Sequence, residues 1–73
     1  GLRVREALKV LEKELETAHL GGRSEVRIVH GIGTGALMKA VHEYLQSCVF
    51  VRRFEPGTVY EGGIGVTRVI LKD

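Results

Sequence analysis

Glu25-Val26-Arg27-Ile28-Val29-His30-Gly31-Ile32-Gly33-Thr34-Gly35-Ala36-Leu37 is the stretch on which the fold turns. Residues 25–30 alternate in the manner of a strand, with Val26, Ile28 and His30 on one face and Arg27 and Val29 on the other. Three glycines then alternate with other residues, which lets the backbone turn sharply and approach a ligand closely. From about Ala36 to Ser47 the spacing changes to that of a helix, with Leu37, Val41, Tyr44 or Leu45, and Cys48 as its apolar stripe and Thr34 as a candidate N-cap. His42 falls opposite that stripe and is expected to be exposed. Unpaired N–H groups and the helix dipole favour an anion at such a strand–turn–helix junction. A phosphate or a nucleic-acid backbone is the natural candidate. His30, at the strand end, has the chemistry to contact that phosphate or to move a proton near neutral pH.

Two better-known phosphate loops do not fit. A dinucleotide fingerprint places its third glycine one residue later, and a P-loop needs Lys-Ser/Thr after its last glycine, where Ala36 stands here.

Working outward, residues 2–20 carry Val4, Leu8, Leu11, Leu15 and Ala18 at helical spacing, interleaved with charge. Glu6–Lys9, Lys9–Glu12 and Lys13–Glu16 are spaced to pair along that helix. Gly21-Gly22 ends it, with His19 in its last turn. Downstream, Val49–Phe54 is expected as a strand with Phe50 and Phe54 on one face, broken by Pro56-Gly57. Thr58 to Gly65 reads as a loop carrying Glu61-Gly62-Gly63-Ile64-Gly65. Val66–Lys72 is β-branched and apolar enough to lie well inside a sheet. The order is α-β-α-β-β.

The 73 residues hold 11 Lys+Arg against 9 Asp+Glu, a net charge of +2, and 44% are hydrophobic. This balance excludes intrinsic disorder and allows one domain, residues 1–73. The helical pattern starts at once at Gly1 with no initiator Met, so the chain is expected to be a piece of a larger protein. Residues 1–20 are charge-neutral, and the remainder carries the whole excess, in part through Arg23, Arg27, Arg52, Arg53 and Arg68. Cys48 is the single cysteine, which excludes an internal disulfide and any zinc site with two thiolates. It reads as a core residue, and a cytosolic setting is expected. No stretch has the roughly 20 apolar residues of a membrane span. Glu55 and Glu61 are the acids near the loops and form no evident pair to hold a metal. Tyr60 alone makes a poor stacking platform.

The quoted stretch resembles the signature of the Smr (small MutS-related) domain, a strand ending in His-Gly-x-Gly-x-Gly-x-Leu. Glu61-Gly62-Gly63-Ile64-Gly65-Val66-Thr67 is similar to that family's E-G-G-x-G-V-T block, and the Leu2–Leu8 start of the first helix matches as well. The resemblance covers essentially the whole chain. It implies the fold class α/β (α+β): a two-layer β-α-β-α-β-β sandwich of a mixed sheet and two helices, similar to the C-terminal domain of bacterial translation initiation factor three. Only Gly1 remains of the family's opening Leu-Asp-Leu-His-Gly, so the family's first strand is expected to be missing. The family commonly has Lys where Ile32 stands and an apolar residue where Arg68 stands.

The activity implied is binding of DNA or RNA, branched or structured forms included, with nicking endonuclease activity. His30 is the expected catalytic residue. Gly31, Gly33, Thr34, Gly35, Gly62, Gly63, Gly65 and Arg53 are the expected phosphate contacts. No cofactor is firmly implied, and a divalent metal is compatible with the chemistry. Further implied partners are a MutS-like ATPase parent chain and the ribosome, with no membrane. A non-catalytic docking module on nucleic acid or the ribosome is the alternative reading. The Asp and His often held responsible for cleavage are expected just before Gly1, so this chain by itself is expected to nick poorly.

Overall fold

A computed structural model describes residues 2–73, the side chain of Leu2 aside; Gly1, matched above to the end of the family's opening motif, lies outside the described residues. Helix α1 spans Leu2–Leu20, strand β1 Glu25–Val29, helix α2 Ala36–Gln46, strand β2 Val51–Pro56 and strand β3 Val66–Leu71. Two short 3-10 turns, Val59–Glu61 and Gly63–Gly65, fill the connection between β2 and β3. The two-layer α+β architecture is the one the resemblance implies, and the α-β-α-β-β order is the one read from the pattern.

The sheet order is β1-β3-β2, and both pairings are antiparallel. The expected mixed sheet is corrected here: no two neighbouring described strands run parallel. The reason is the crossover. Helix α2 returns the chain so that β2 points the same way as β1, one strand-width away. Strand β3 fills the gap, antiparallel to both. Its alternation is nearly all buried, as a central strand requires: Val66, Thr67, Val69 and Leu71 lie inside.

Both helices pack on one face of the sheet. Leu11, Leu15 and Ala18 from α1 meet Val41 and Leu45 from α2 and Val26, Val51, Val69 and Leu71 from the strands. Leu15 and Val69 are fully buried. Burial of such side chains stabilises by roughly 1.5–3 kcal/mol each. The chain leaves α1 through Gly22, whose φ of 77° is left-handed, and Arg23 N–H donates to the Ala18 carbonyl. His19 stacks on Phe50, with ring centroids 4.7 Å apart. The expected charge pairs along α1 are not formed; the ion pairs among the described residues all lie on or beside the sheet. Those solvated side chains gain little from pairing.

Strand β2 begins two residues later than expected, because Val49 and Phe50 form a turn after α2. A register shift between Val51 and Arg53 absorbs Arg52. Phe50 and Phe54 still pack against the core. Cys48 also lies against it, half-buried, its thiol 3.9 Å from the Tyr44 hydroxyl. Burial first, then the Cys48 contact, pushes the Tyr44 phenol up to about 12. Among the described residues, no helix is long and apolar enough to cross a membrane.

Candidate nucleic-acid interface

The glycine turn joins the end of β1 to the start of α2. Gly31, Gly33 and Gly35 have φ of 74°, 43° and 87°, while Ile32 and Thr34 keep negative φ. An alternation of this kind turns successive N–H groups toward one side, the geometry of an anion-binding concavity. A Cβ on any of the three glycines would meet open space, so left-handed backbone, not crowding, calls for glycine here. Among the described residues, the N–H groups of Gly33, Thr34, Leu37 and Met38 donate to no backbone carbonyl. They stay available to a ligand at the helix start.

Thr34 is not the N-cap. Gly35 holds that place, and the Thr34 hydroxyl accepts only from Ala36 N–H, at 3.3 Å. One more turn into α2, Lys39 is exposed and anchored through its N–H to the Gly35 carbonyl. It is a cation beside the turn that the motif reading passed over. Ile32 and Ile64 are both more than half exposed and stand where the two glycine segments meet.

The second glycine segment is folded rather than a mobile loop. Thr58 N–H donates to Glu61 Oε1 at 2.9 Å, and Gly63 N–H to the Thr58 carbonyl at 2.8 Å. That first bond, ahead of the Arg27 guanidinium, holds the Glu61 carboxyl below the usual carboxylate range. Gly62 has φ 113°, and a Cβ there would come within 2.8 Å of Val66 Cγ2. The two segments touch directly: the Gly65 carbonyl accepts from both His30 N–H (3.1 Å) and Gly31 N–H (2.9 Å). The structure thus brings His30, Gly31 and Gly65 together, with Gly33, Thr34 and Gly35 on one side and Gly62 and Gly63 on the other.

His30 is half-buried. Its Nε2 lies 2.7 Å from Thr67 Oγ1, and its Nδ1 lies 2.8 Å from the Gly31 carbonyl oxygen. His42, read from the sequence as exposed, reaches the same hydroxyl, Nε2 to Oγ1 at 3.0 Å. Helix α2 is covered by the sheet and by α1, so its buried arc is wider than the Leu37–Val41–Leu45 stripe. His42 falls on the sheet side of that arc, its ring 5.2 Å from that of Phe54. Burial first, and the neighbouring His30 second, hold His42 below the ordinary imidazole value. Thr67, 1% exposed, is the one buried polar side chain among the described residues. Thr67 stood at the end of the second glycine block with no role assigned to it, and His42 was read as exposed. The available signals were a threonine inside an apolar central strand and a histidine three residues before Leu45.

The outer sheet face tells a different story. Arg27 and Arg68 stand directly opposite each other across β1 and β3. Like charges so placed repel. Glu25 Oε1 and Glu55 Oε1 accept from Arg68 at 2.8 and 2.7 Å, and Glu61 pairs with Arg27. Arg68 in turn holds the Glu25 carboxyl below its usual range. These carboxylates gather around arginines rather than around an open space. Among the described residues no three His, Cys, Asp or Glu are grouped to hold a metal ion. Arg53 faces Ile70 in the register, on the face opposite Thr67 and three positions along β3. It stands roughly 10 Å from the histidines along the strand and apart from the turn.

A groove of about 300 Å³ runs between α1 and the β1 edge, lined in part by Ala7, Leu11, Glu14, Arg27, His30 and Leu37. His30 therefore has one side on Thr67 and another on an open channel.

Comparison with known proteins agrees with this arrangement. The family model described as Smr domain matches residues 1–72. A relative named Endonuclease MutS2 from Carboxydothermus hydrogenoformans is 46% identical over 72 residues. Its namesake from Fusobacterium nucleatum is 44% identical. Each alignment covers 99% of this chain but only 9% of the relative's length. The crystal structure of the Smr domain of Thermus thermophilus MutS2 superposes with a TM-score of 0.95 at 44% identity, covering 100% of this chain and 91% of that one. A match along the whole chain in both sequence and backbone, both glycine blocks included, leaves one assignment: this chain belongs to the Smr domain family.

Proposed function

We propose that the chain binds DNA or RNA by its phosphate backbone at the paired glycine segments, and that His30 serves a phosphodiester-nicking reaction there. The observation that carries this is the turn itself. Left-handed glycines with free N–H groups follow directly on an imidazole that itself lines a groove. The name endonuclease borne by the relatives supports the reading.

Affinity is expected to be modest, micromolar or weaker, and nearly indifferent to sequence. Arg27 and Arg68 are occupied by Glu25, Glu55 and Glu61. Beside the turn, Lys39 and the backbone dipoles attract phosphate. Among the described residues, no helix presents a row of base-reading side chains.

In a nick, His30 Nδ1–H is placed to donate to a phosphoryl oxygen or to the departing oxygen. Its hydrogen-bond partners are the Gly31 carbonyl and Thr67, with no carboxylate among them. Activation of water is therefore weak, and nicking by this chain is slow. A docking module that binds without cleaving is the second reading, favoured by that same lack of a base.

Gel-shift titration and a single-turnover plasmid-nicking assay test the proposal. Binding, with slow nicking lost in His30→Ala, is expected. Binding with no nicking at any enzyme excess leaves the docking module. Failure to bind any oligonucleotide overturns both readings.

A further inference from the structure

Thr67 Oγ1 has one hydrogen to give, yet two imidazole nitrogens approach it, His30 Nε2 at 2.7 Å and His42 Nε2 at 3.0 Å. The assignment of protons follows from the partners. The Gly31 carbonyl can only accept, so His30 Nδ1, 2.8 Å from it, carries a hydrogen. A neutral His30 then has a bare Nε2, which must accept from the Thr67 hydroxyl. With its hydrogen committed, Thr67 Oγ1 accepts from His42, which must carry its hydrogen on Nε2. With both rings neutral, one arrangement satisfies every contact: His42 Nε2–H donates to Thr67 Oγ1, Thr67 O–H donates to His30 Nε2, and His30 Nδ1–H donates to Gly31 O.

We infer that His42 is a positioning residue that, through Thr67, reinforces from the buried side the His30 tautomer that the Gly31 carbonyl favours, so that the proton stands at Nδ1, on the exposed side of the turn. The role assigned to that proton rests on the proposed phosphate site; the tautomer itself does not. Burial makes the chain directional, because Thr67 is 1% exposed and has no water to replace either partner. The bond from Nδ1 to Gly31 O is exposed, so it is the one that a phosphate oxygen can displace.

The same arithmetic limits charge. A protonated His30 donates from both nitrogens, the Thr67 hydrogen turns toward His42, and His42 must then present a bare Nε2. Two imidazolium ions would both donate to one oxygen, leaving the hydroxyl hydrogen without an acceptor, with their rings 6.0 Å apart. The hydrogen-bond geometry around Thr67 therefore accommodates no more than one imidazolium. Around it stand Glu14 from α1 and Arg27 from β1 in the groove, the Phe54 ring from β2, and Thr67 from β3.

Nitrogen-15 NMR of the imidazoles, recorded on the chain without nucleic acid, reads the tautomers directly. Above neutral pH, His30 is expected to show a pyrrole-type Nδ1 and a pyridine-type Nε2, with His42 reversed. His42→Gln keeps an N–H donor toward Thr67 and is expected to preserve the His30 signature. His42→Leu removes the donor, frees the hydroxyl, and is expected to move both His30 nitrogens to intermediate shifts. An Nε2–H tautomer of His30 in the parent chain overturns the inference. So does an unchanged His30 signature in a folded His42→Leu variant. Loss of nucleic-acid binding, by contrast, leaves the tautomer result standing and strikes only the phosphate site.

Discussion

His30 and His42, 12 positions apart on different elements, meet edge to face with ring centroids 6.0 Å apart across a single threonine oxygen. The contact ties the end of β1, the middle of α2 and the central strand β3 into one polar knot at the rim of an apolar core. It also makes the stability of the fold sensitive to mild acid.

That sensitivity has a definite sign. His42 is held below its ordinary value of 6.5, so the unfolded chain takes up this proton at a higher pH than the folded one. Stability is full above pH 6.5 and falls as pH drops from there toward the lowered folded value. Glu25 and Glu61, ordinarily at 4.5, are lowered too. Their contribution is full above pH 4.5 and is lost as pH falls through their folded values. Denaturant midpoints measured against pH are expected to decline in two stages, and His42→Leu to remove the upper one. An upper stage unchanged in the variant would assign it to another group.

Gly33→Asp is expected to weaken oligonucleotide binding at least several-fold while circular dichroism shows the same helix content. A carboxylate at the start of α2 competes with phosphate for the same N–H groups. Aspartate tolerates φ near 43° better than most residues, and its Cβ has open space. Full affinity in the folded variant would move the binding surface elsewhere.

The second glycine segment separates strain from crowding. Gly62→Ala meets both a φ of 113° and Val66 Cγ2 at 2.8 Å, whereas Gly63→Ala meets φ 58° and open space. The first is expected to cost about 2–4 kcal/mol and the second about 1–2 kcal/mol. Equal losses in urea unfolding would mean that the turn relaxes away from Val66.

Binding is expected to fall steeply with salt, because phosphate contacts release counterions. Lys39→Ala is expected to flatten the log–log slope by about one unit, and Arg53→Ala to leave it nearly unchanged. The opposite ranking would place the backbone on the outer sheet face.

Much of this was legible beforehand. Period and glycine placement located both helices, β1 and β3, because those segments bury a single face or are buried throughout. The glycine turn and His30 were legible because left-handed backbone and a strand-end histidine leave plain marks. His42 was misplaced because a stripe is read one residue wide, while α2 is covered on two sides. The Arg68 cluster was invisible for another reason. Glu25, Glu55 and Glu61 come together only through the β1-β3-β2 register, and antiparallel pairing across a helical crossover is not written in local spacing. Thr67 closed the E-G-G-x-G-V-T block without a role of its own; its importance comes from two histidines that tertiary structure delivers to it.

Backbone amide chemical-shift mapping during titration with a short oligonucleotide locates the bound phosphates residue by residue. The largest changes are expected at Gly31, Gly33, Thr34, Gly35, Leu37, Met38 and Gly65, with His30 Nδ1 moving alongside them. Changes centred instead on Arg27, Arg53, Arg68 and Ile70, with the glycine turn silent, would contradict binding at that turn.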